Sequence, residues 1–208
     1  DHCNNLPQAS LDFIREVVKI SSGIEAFELR KFIYLSSIRI SSECNDIKSA
    51  ELFLQSIKNH DKFTDDEKKE MAGILWNQAL NCFDVSDYEH ATEWMELSRS
   101  QMSDLDNESQ ACCFRFISRC YHELNKNAEA LSYANDAIQR HQSNSHGYLL
   151  KFRILKDIGN EKESFDFIYN IIYNSPFLEE FESTFFTSIA AELHLLGNDS
   201  LALETLLK

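Results

Sequence analysis

The sequence predicts an all-α fold: an α-solenoid in which helix–turn–helix repeats of the tetratricopeptide (TPR) type wind into a right-handed superhelix. Three observations carry this reading. Only five Gly and two Pro occur in 208 residues, whereas a sandwich or barrel needs a turn signal roughly every 8–12 residues. A small residue recurs five times just after a short polar turn. No stretch approaches the roughly 18 consecutive apolar residues that would signal a membrane span, and the N-terminal Asp1-His2-Cys3-Asn4-Asn5 has neither the basic nor the apolar region of a signal peptide.

A TPR consists of two antiparallel helices, about 34 residues in all. Early in its second helix the two helices come so close that only a small side chain fits. Ahead of the first repeat, Ser10 is placed to cap an additional helix over 11–20. In the first repeat, 31–63, Asn45-Asp46-Ile47-Lys48-Ser49-Ala50 leads into Leu54 and Ile57. The second, 64–104, opens on Thr64-Asp65-Asp66-Glu67, a capping-box pattern. Its first helix places Leu75, Ala79 and Cys82 at helical spacing, and Ser86-Asp87-Tyr88-Glu89-His90-Ala91 precedes Trp94-Met95.

The third repeat, 105–142, has Phe114, Ser118 and Tyr121 in its first helix. Asn125-Lys126-Asn127-Ala128-Glu129-Ala130 then leads to Tyr133, Ala134 and Ala137. The fourth, 143–175, has Tyr148, Phe152 and Leu155, then Gly159-Asn160-Glu161-Lys162-Glu163-Ser164 before Ile168 and Ile171. Phe152 stands where the other repeats have a small residue, which implies a wider helix pair or a shifted register. The fifth, 176–208, is expected to open on Ser175 as N-cap with Pro176 in the first turn. It carries Phe186, Ala190 and Leu193, then Gly197-Asn198-Asp199-Ser200-Leu201-Ala202.

The residues expected at the close packing position are Ala50, Ala91, Ala130, Ser164 and Ala202, separated by 41, 39, 34 and 38 residues. Five two-helix repeats and the leading helix make about eleven helices. A solenoid needs a polar cap at each end; none follows Leu206-Leu207, so the chain reads as one array cut from a longer one.

Composition narrows the function. With 34 acidic against 20 basic residues, the net charge is −14. Such a chain repels the phosphate backbone, whose non-specific affinity depends on Lys and Arg displacing counterions, so no direct nucleic-acid contact is expected. Six cysteines (Cys3, Cys44, Cys82, Cys112, Cys113, Cys120) form no C-x-x-C pair and read as reduced thiols, most of them inside helical patterns. The vicinal Cys112-Cys113 point about 100° apart on a helix and do not readily form a disulfide. The sequons Asn107-Glu108-Ser109 and Asn198-Asp199-Ser200 matter only on a secretory route.

No nucleophile elbow, phosphate-binding glycine loop or H-E-x-x-H motif occurs. His141 and His146 have no third ligand nearby, and a solvated turn explains them better than a metal. The chain is read as a non-enzyme without cofactor or metal.

Candidate binding residues follow from the repeat frame. First helices of TPR arrays line a concave surface, and the ninth position of each repeat is Arg39, Leu80, Arg119, Arg153 and Ala191. Arg115 lies one turn before Arg119, and Asn77 belongs to the same wall. Four arginines on the inner face of an acidic protein fit an acidic partner segment, because guanidinium grips carboxylates bidentately. The alternative is that they neutralise acids of the chain itself, such as Glu43, Asp84, Glu123 and Asp157. The carboxylate clamp of chaperone-binding TPRs needs a Lys and Asn pattern over three repeats, of which only Asn77 matches a part. Trp94 at helical spacing reads as core, whereas Trp76 is open to two readings, core or inward-facing.

Leu75-Trp76-Asn77 and Asp87-Tyr88-Glu89-His90-Ala91-Thr92-Glu93-Trp94, with Ser118-Arg119-Cys120-Tyr121 and Glu129-Ala130-Leu131, resemble the meiotic TPR family of sporulation protein twenty-two, also called Zip-four, of the ZMM group. The resemblance is clearest from Leu75 to Pro176. It implies a nuclear scaffold on meiotic chromosomes, without catalytic residues, linking crossover-designated recombination sites to synaptonemal complex assembly. Its partners would be meiotic recombination and synaptonemal complex proteins. Two other readings are a TPR adaptor subunit of a cytoplasmic or nuclear multiprotein complex unrelated to meiosis, and a regulatory domain of an enzyme.

Overall fold

The five polar turns owe their sharpness to one backbone feature. Asn45 (φ 53°), Ser86 (φ 63°), Asn125 (φ 58°), Gly159 (φ 77°) and Gly197 (φ 77°) are left-handed. Each stands five positions before one of Ala50, Ala91, Ala130, Ser164 and Ala202. Gly adopts this conformation without cost and Asn tolerates it; Ser86 is the least suited of the five.

The structure is a computed structural model. It describes residues 9, 12, 13, 15–17, 20, 27–60, 63–101 and 106–208, with only the backbone described at 27–30 and 57–60. The helices are α1 (Phe27–Glu43), α2 (Ile47–His60), α3 (Asp65–Asp84), α4 (Tyr88–Gln101), α5 (Asn107–Glu123), α6 (Asn127–Arg140), α7 (Ser145–Asp157), α8 (Glu161–Asn174), α9 (Ser183–Leu195) and α10 (Asp199–Leu206). A 3₁₀ turn, Leu178–Glu180, lies between α8 and α9. Within 11–20, residues 12, 13, 15–17 and 20 are helical. The expected cap Ser10 and the thiol of Cys3 lie outside the described residues.

Each left-handed residue closes a Schellman turn. At the end of α1, Asp46 N donates to Ser41 O at 2.8 Å and Asn45 N to Ser42 O at 3.0 Å. The same pair of bonds follows α3, α5, α7 and α9. The residue after the left-handed one also starts the next helix: Asp46 O accepts from Ala50 N, and Asp87, Lys126, Asn160 and Asn198 do the same for Ala91, Ala130, Ser164 and Ala202. A single residue thus ends one helix and begins another, so the two must run antiparallel and close together.

Two compact units result, residues 1–104 and 105–208. Within each, helices pack on their sequence neighbour and on the next but one, as in α1 on α2 and α3, or α7 on α8 and α9. This is the layered pairing of an all-α TPR-type fold. In the first unit Ile38, Ala50, Leu75, Ala79, Ala91 and Trp94 are fully buried. In the second, Ala130, Ala134 and Ile154 form one core and Phe152, Ile168, Phe181, Phe185 and Ile189 another.

Thr64 caps α3 with the full capping box: Glu67 N donates to its side chain, and Thr64 N donates to Glu67 Oε2 at 2.7 Å. Ser175-Pro176, in contrast, does not open a helix. Ser175 caps the C-terminus of α8, Pro176 and Phe177 turn, and α9 starts only at Ser183. The reason is apolar burial: Phe181 enters the core with Phe177 and Leu178 packed against it, which holds the linker compact instead of helical. Phe152 is buried in that same core between α7, α8 and α9. The close approach on α7 shifts to Gly147, where an added Cβ would meet Ile138 Cγ1 of α6 at 3.0 Å.

The uneven repeat spacing has a plain cause. The 34-residue interval contains the short α7, of 13 residues. Intervals of 41 and 39 residues contain α3 and α5, of 20 and 17 residues, and the interval of 38 contains the 3₁₀ linker.

Candidate partner-binding surface

In the first unit the small residues Ala50 and Ala91 are fully buried at the α1–α2 and α3–α4 contacts. Helix α4 also docks on α3 through Ser98, whose hydroxyl donates to Ala72 O at 2.8 Å. Arg39, on α1, projects to solvent, and its Nη2 lies 2.7 Å from Glu70 Oε1 on α3. Asn77 lies two turns beyond Glu70 on α3 and is exposed, as is Leu80. Trp76 is half-buried. Trp94 is wholly buried, and its Nε1 donates to Asn45 Oδ1 at 2.7 Å.

An ion pair between a buried lysine and a half-buried glutamate links the other end of α1 to α3. Lys31 Nζ lies 2.6 Å from Glu67 Oε1, with the lysine side chain 9% exposed. Lys31 holds the Glu67 carboxyl below the usual range, helped by Thr64. Arg15, in the N-terminal helical stretch, pairs with Asp46 Oδ2 at 3.1 Å and donates to Ser49 at the start of α2. Burial opposes the Asp46 charge, but its bonds from Ser49 and the Arg15 charge outweigh this and lower its pKa.

In the second unit Ala130 and Ser164 are fully buried, and Ala202 nearly so. Ser118 Oγ donates to Ala130 O at 2.7 Å; here the small residue on α5 brings the helices together and also bonds across the contact. Arg115 is half-buried and Arg119 exposed, both on α5. Arg153, on α7, donates from Nε to Glu192 Oε1 of α9 at 2.7 Å, and Lys156 Nζ approaches Glu192 Oε2 at 2.8 Å. Lys156 also lies 3.6 Å from Asp157, which is 3.2 Å from His122 Nε2 on α5. The Glu192 carboxylate, followed by Asp157, raises the Lys156 pKa.

The ninth-position residues Arg39, Leu80, Arg119, Arg153 and Ala191 are thus all exposed. Arg39 and Arg153 bind acids of the chain itself. Their partners are Glu70 and Glu192, each on the first helix of the following pair; neither is among the acids that sequence proximity pointed to. Cys82, Cys113 and Cys120 are buried, and Cys44 and Cys112 are half-buried. No described helix is long and apolar enough to cross a membrane.

Comparison with known proteins adds a family and a fold. The model of the family described as "Meiosis protein SPO22/ZIP4 like" matches residues 40–207. No curated protein matches the sequence. Among solved structures, the chain is similar to BtubC (BKLC) from P. vanneervenii, with a TM-score of 0.52 and 13% identity over 99% of this chain and 89% of that one. MamA aligns at a TM-score of 0.48, with 13% identity over 82% of this chain and 89% of that one. The likeness to BtubC concerns architecture, not ligands.

Proposed function

The chain belongs to the SPO22/ZIP4-like family of meiosis proteins, and from that membership we propose that it is a non-catalytic scaffold in meiotic crossover formation and synaptonemal complex assembly, acting on chromosomes in the nucleus. The observation that carries this reading is the match over residues 40–207. The helical fold agrees with it, because stacked helix pairs expose side chains along successive first helices and serve protein partners. The proposed partners are recombination and synaptonemal complex proteins, with DNA met through them, as a net charge of −14 favours.

The proposed contact residues are Arg39, Asn77, Arg115, Arg119 and Arg153, with an acidic partner segment as ligand. The proposed repeats are 31–63, 64–104, 105–142, 143–175 and 176–208, packed through Ala50, Ala91, Ala130, Ser164 and Ala202. On this reading the Arg39–Glu70 and Arg153–Glu192 pairs hold the guanidinium groups in place and compete with the ligand. An incoming carboxylate must displace or share Glu70 or Glu192, which makes binding salt-sensitive.

The test is co-purification from meiotic and vegetative cells, with mass spectrometry of the bound proteins. Recovery of recombination and synaptonemal complex proteins from meiotic cells alone is expected; the same partners from both would overturn the meiotic assignment. For the arginine face, Arg119→Glu with Arg153→Glu should weaken the recovered partner at least tenfold. The exchange Arg153→Glu with Glu192→Arg preserves an ion pair and controls for folding. Unchanged affinity in the first variant removes the proposal.

A further inference from the structure

Where α8 meets the long linker, the second unit has a pocket of about 300 Å³ whose lining contains no charged residue. This sets it apart in a chain of net charge −14. It contains none of the arginines discussed above. Its floor is aromatic: Tyr148 and Phe167 stack with centroids 6.3 Å apart, and Phe177 closes the linker side. Tyr148 is held by its hydroxyl, which donates to Gln142 O at 3.0 Å, and its ring also meets Phe181 at 5.2 Å. Lys151 Nζ lies over the Phe167 ring at 4.6 Å and lies 2.8 Å from Asn135 Oδ1, so both rings are fixed before any ligand arrives.

Above this floor, Asn170 and Asn174 stand one turn apart on α8, both exposed. Asn174 Nδ2 donates to Asn170 Oδ1 at 3.3 Å. That bond leaves Asn170 Nδ2 with its donors and Asn174 Oδ1 as an acceptor, one of each facing outward. A peptide unit offers the matching pair, one carbonyl and one N–H.

The geometry points to this pocket as a docking site for an extended, uncharged peptide segment of a protein partner, seating one aromatic side chain on Tyr148, Phe167 and Phe177 while Asn170 and Asn174 exchange hydrogen bonds with its main chain. The occupant follows from the chemistry of the walls. No charged residue lines the pocket, and the nearby Lys151 ammonium is engaged by the Phe167 ring and Asn135, so a charged side chain would lose water without a direct partner. The volume of about 300 Å³ accommodates one large side chain with its flanking peptide groups. The pocket exists because the 3₁₀ linker sets α9 back from the end of α8 by residues 175–182.

The test uses N-acetyl-phenylalanine methylamide, one aromatic side chain between two peptide groups, titrated into the ¹⁵N-labelled chain. The expected result is saturable shifts of the Phe167, Ile171 and Phe177 backbone amides, present in wild type and variant alike, and of the Asn170 and Asn174 side-chain amides, with a midpoint on the order of 1 mM, a weak affinity appropriate to a single residue. N-acetyl-aspartate methylamide should produce none. Asn170→Ala with Asn174→Ala, both at exposed helix positions that accept alanine, should weaken binding roughly tenfold, as loss of two peptide hydrogen bonds implies. Absence of shifts in the wild-type chain, or equal affinity of the double variant, would overturn the assignment. Equal shifts from the aspartate compound would show non-selective binding and overturn it as well.

Discussion

Trp94 and Asn45 are joined by one hydrogen bond, from the indole Nε1 to the amide Oδ1 at 2.7 Å. It connects the fully buried side chain of α4 to the left-handed turn between α1 and α2. Asn45 therefore does two things, turning the backbone and accepting the only polar group of the largest core side chain. Asn45→Gly keeps the turn and loses the acceptor, so it should cost about 1–3 kcal/mol, the penalty of a buried unpaired donor. Asn45→Ala loses the left-handed preference as well and should cost about 1 kcal/mol more. Urea unfolding followed by tryptophan fluorescence measures both; equal stability of the two variants would contradict the dual role.

The close-contact residues should differ in what they tolerate. Ala130 is fully buried with Ser118 bonded to its carbonyl, so Ala130→Leu should destabilise by about 1–3 kcal/mol through overpacking. The Ser164 hydroxyl donates to Glu161 O in its own helix. Ser164→Ala keeps the volume and should change stability by less than about 0.5 kcal/mol. Thermal unfolding of the two variants separates these outcomes.

Glu67 links stability to pH. Its folded pKa is lowered by Lys31 and by Thr64, so its contribution is fully present above the unfolded value of about 4.3. It disappears as pH falls through the folded pKa. Glu67→Gln should cost about 1–3 kcal/mol at pH 7, where a charge-assisted bond to buried Lys31 is lost. The difference from wild type should close once pH falls below the folded pKa. Parallel stability curves down to pH 2 would contradict the assignment.

Glu192 serves Arg153 and Lys156 together. Its removal should therefore cost more than removal of either cation alone. Arg153 is exposed and Lys156 half-buried, so each single deletion should cost about 0.2–1 kcal/mol. Glu192→Ala should exceed either, and a double-mutant cycle with Arg153→Ala should show coupling that weakens in high salt. Strict additivity would show that the pair is incidental.

Much of the fold could be read in the residue order. Ala50, Ala91, Ala130, Ser164 and Ala202 are all buried, and Asn45, Ser86, Asn125, Gly159 and Gly197 stand five positions ahead of them. That second signal was available in the sequence, because Asn and Gly are the residues that accept a left-handed backbone. The exposure of Arg39, Arg119 and Arg153 also followed from helical periodicity. Their partners did not: Glu70 lies 31 positions beyond Arg39 and Glu192 lies 39 beyond Arg153. The Ser175-Pro176 pair misled for a related reason, since Pro after Ser suits a helix start and a linker equally, and burial of Phe181 decided between them.

The sequence by itself determined the helices, the turns between them and the spacing of the pairs, because backbone sterics, capping and the helical period act within a few residues. The tertiary structure alone decided which acids hold the arginines, where Trp94 finds its acceptor and that a neutral aromatic pocket opens beside α8. Those relationships depend on the register of one helix against another, which is set by the summed burial of many side chains and leaves no local pattern in the chain.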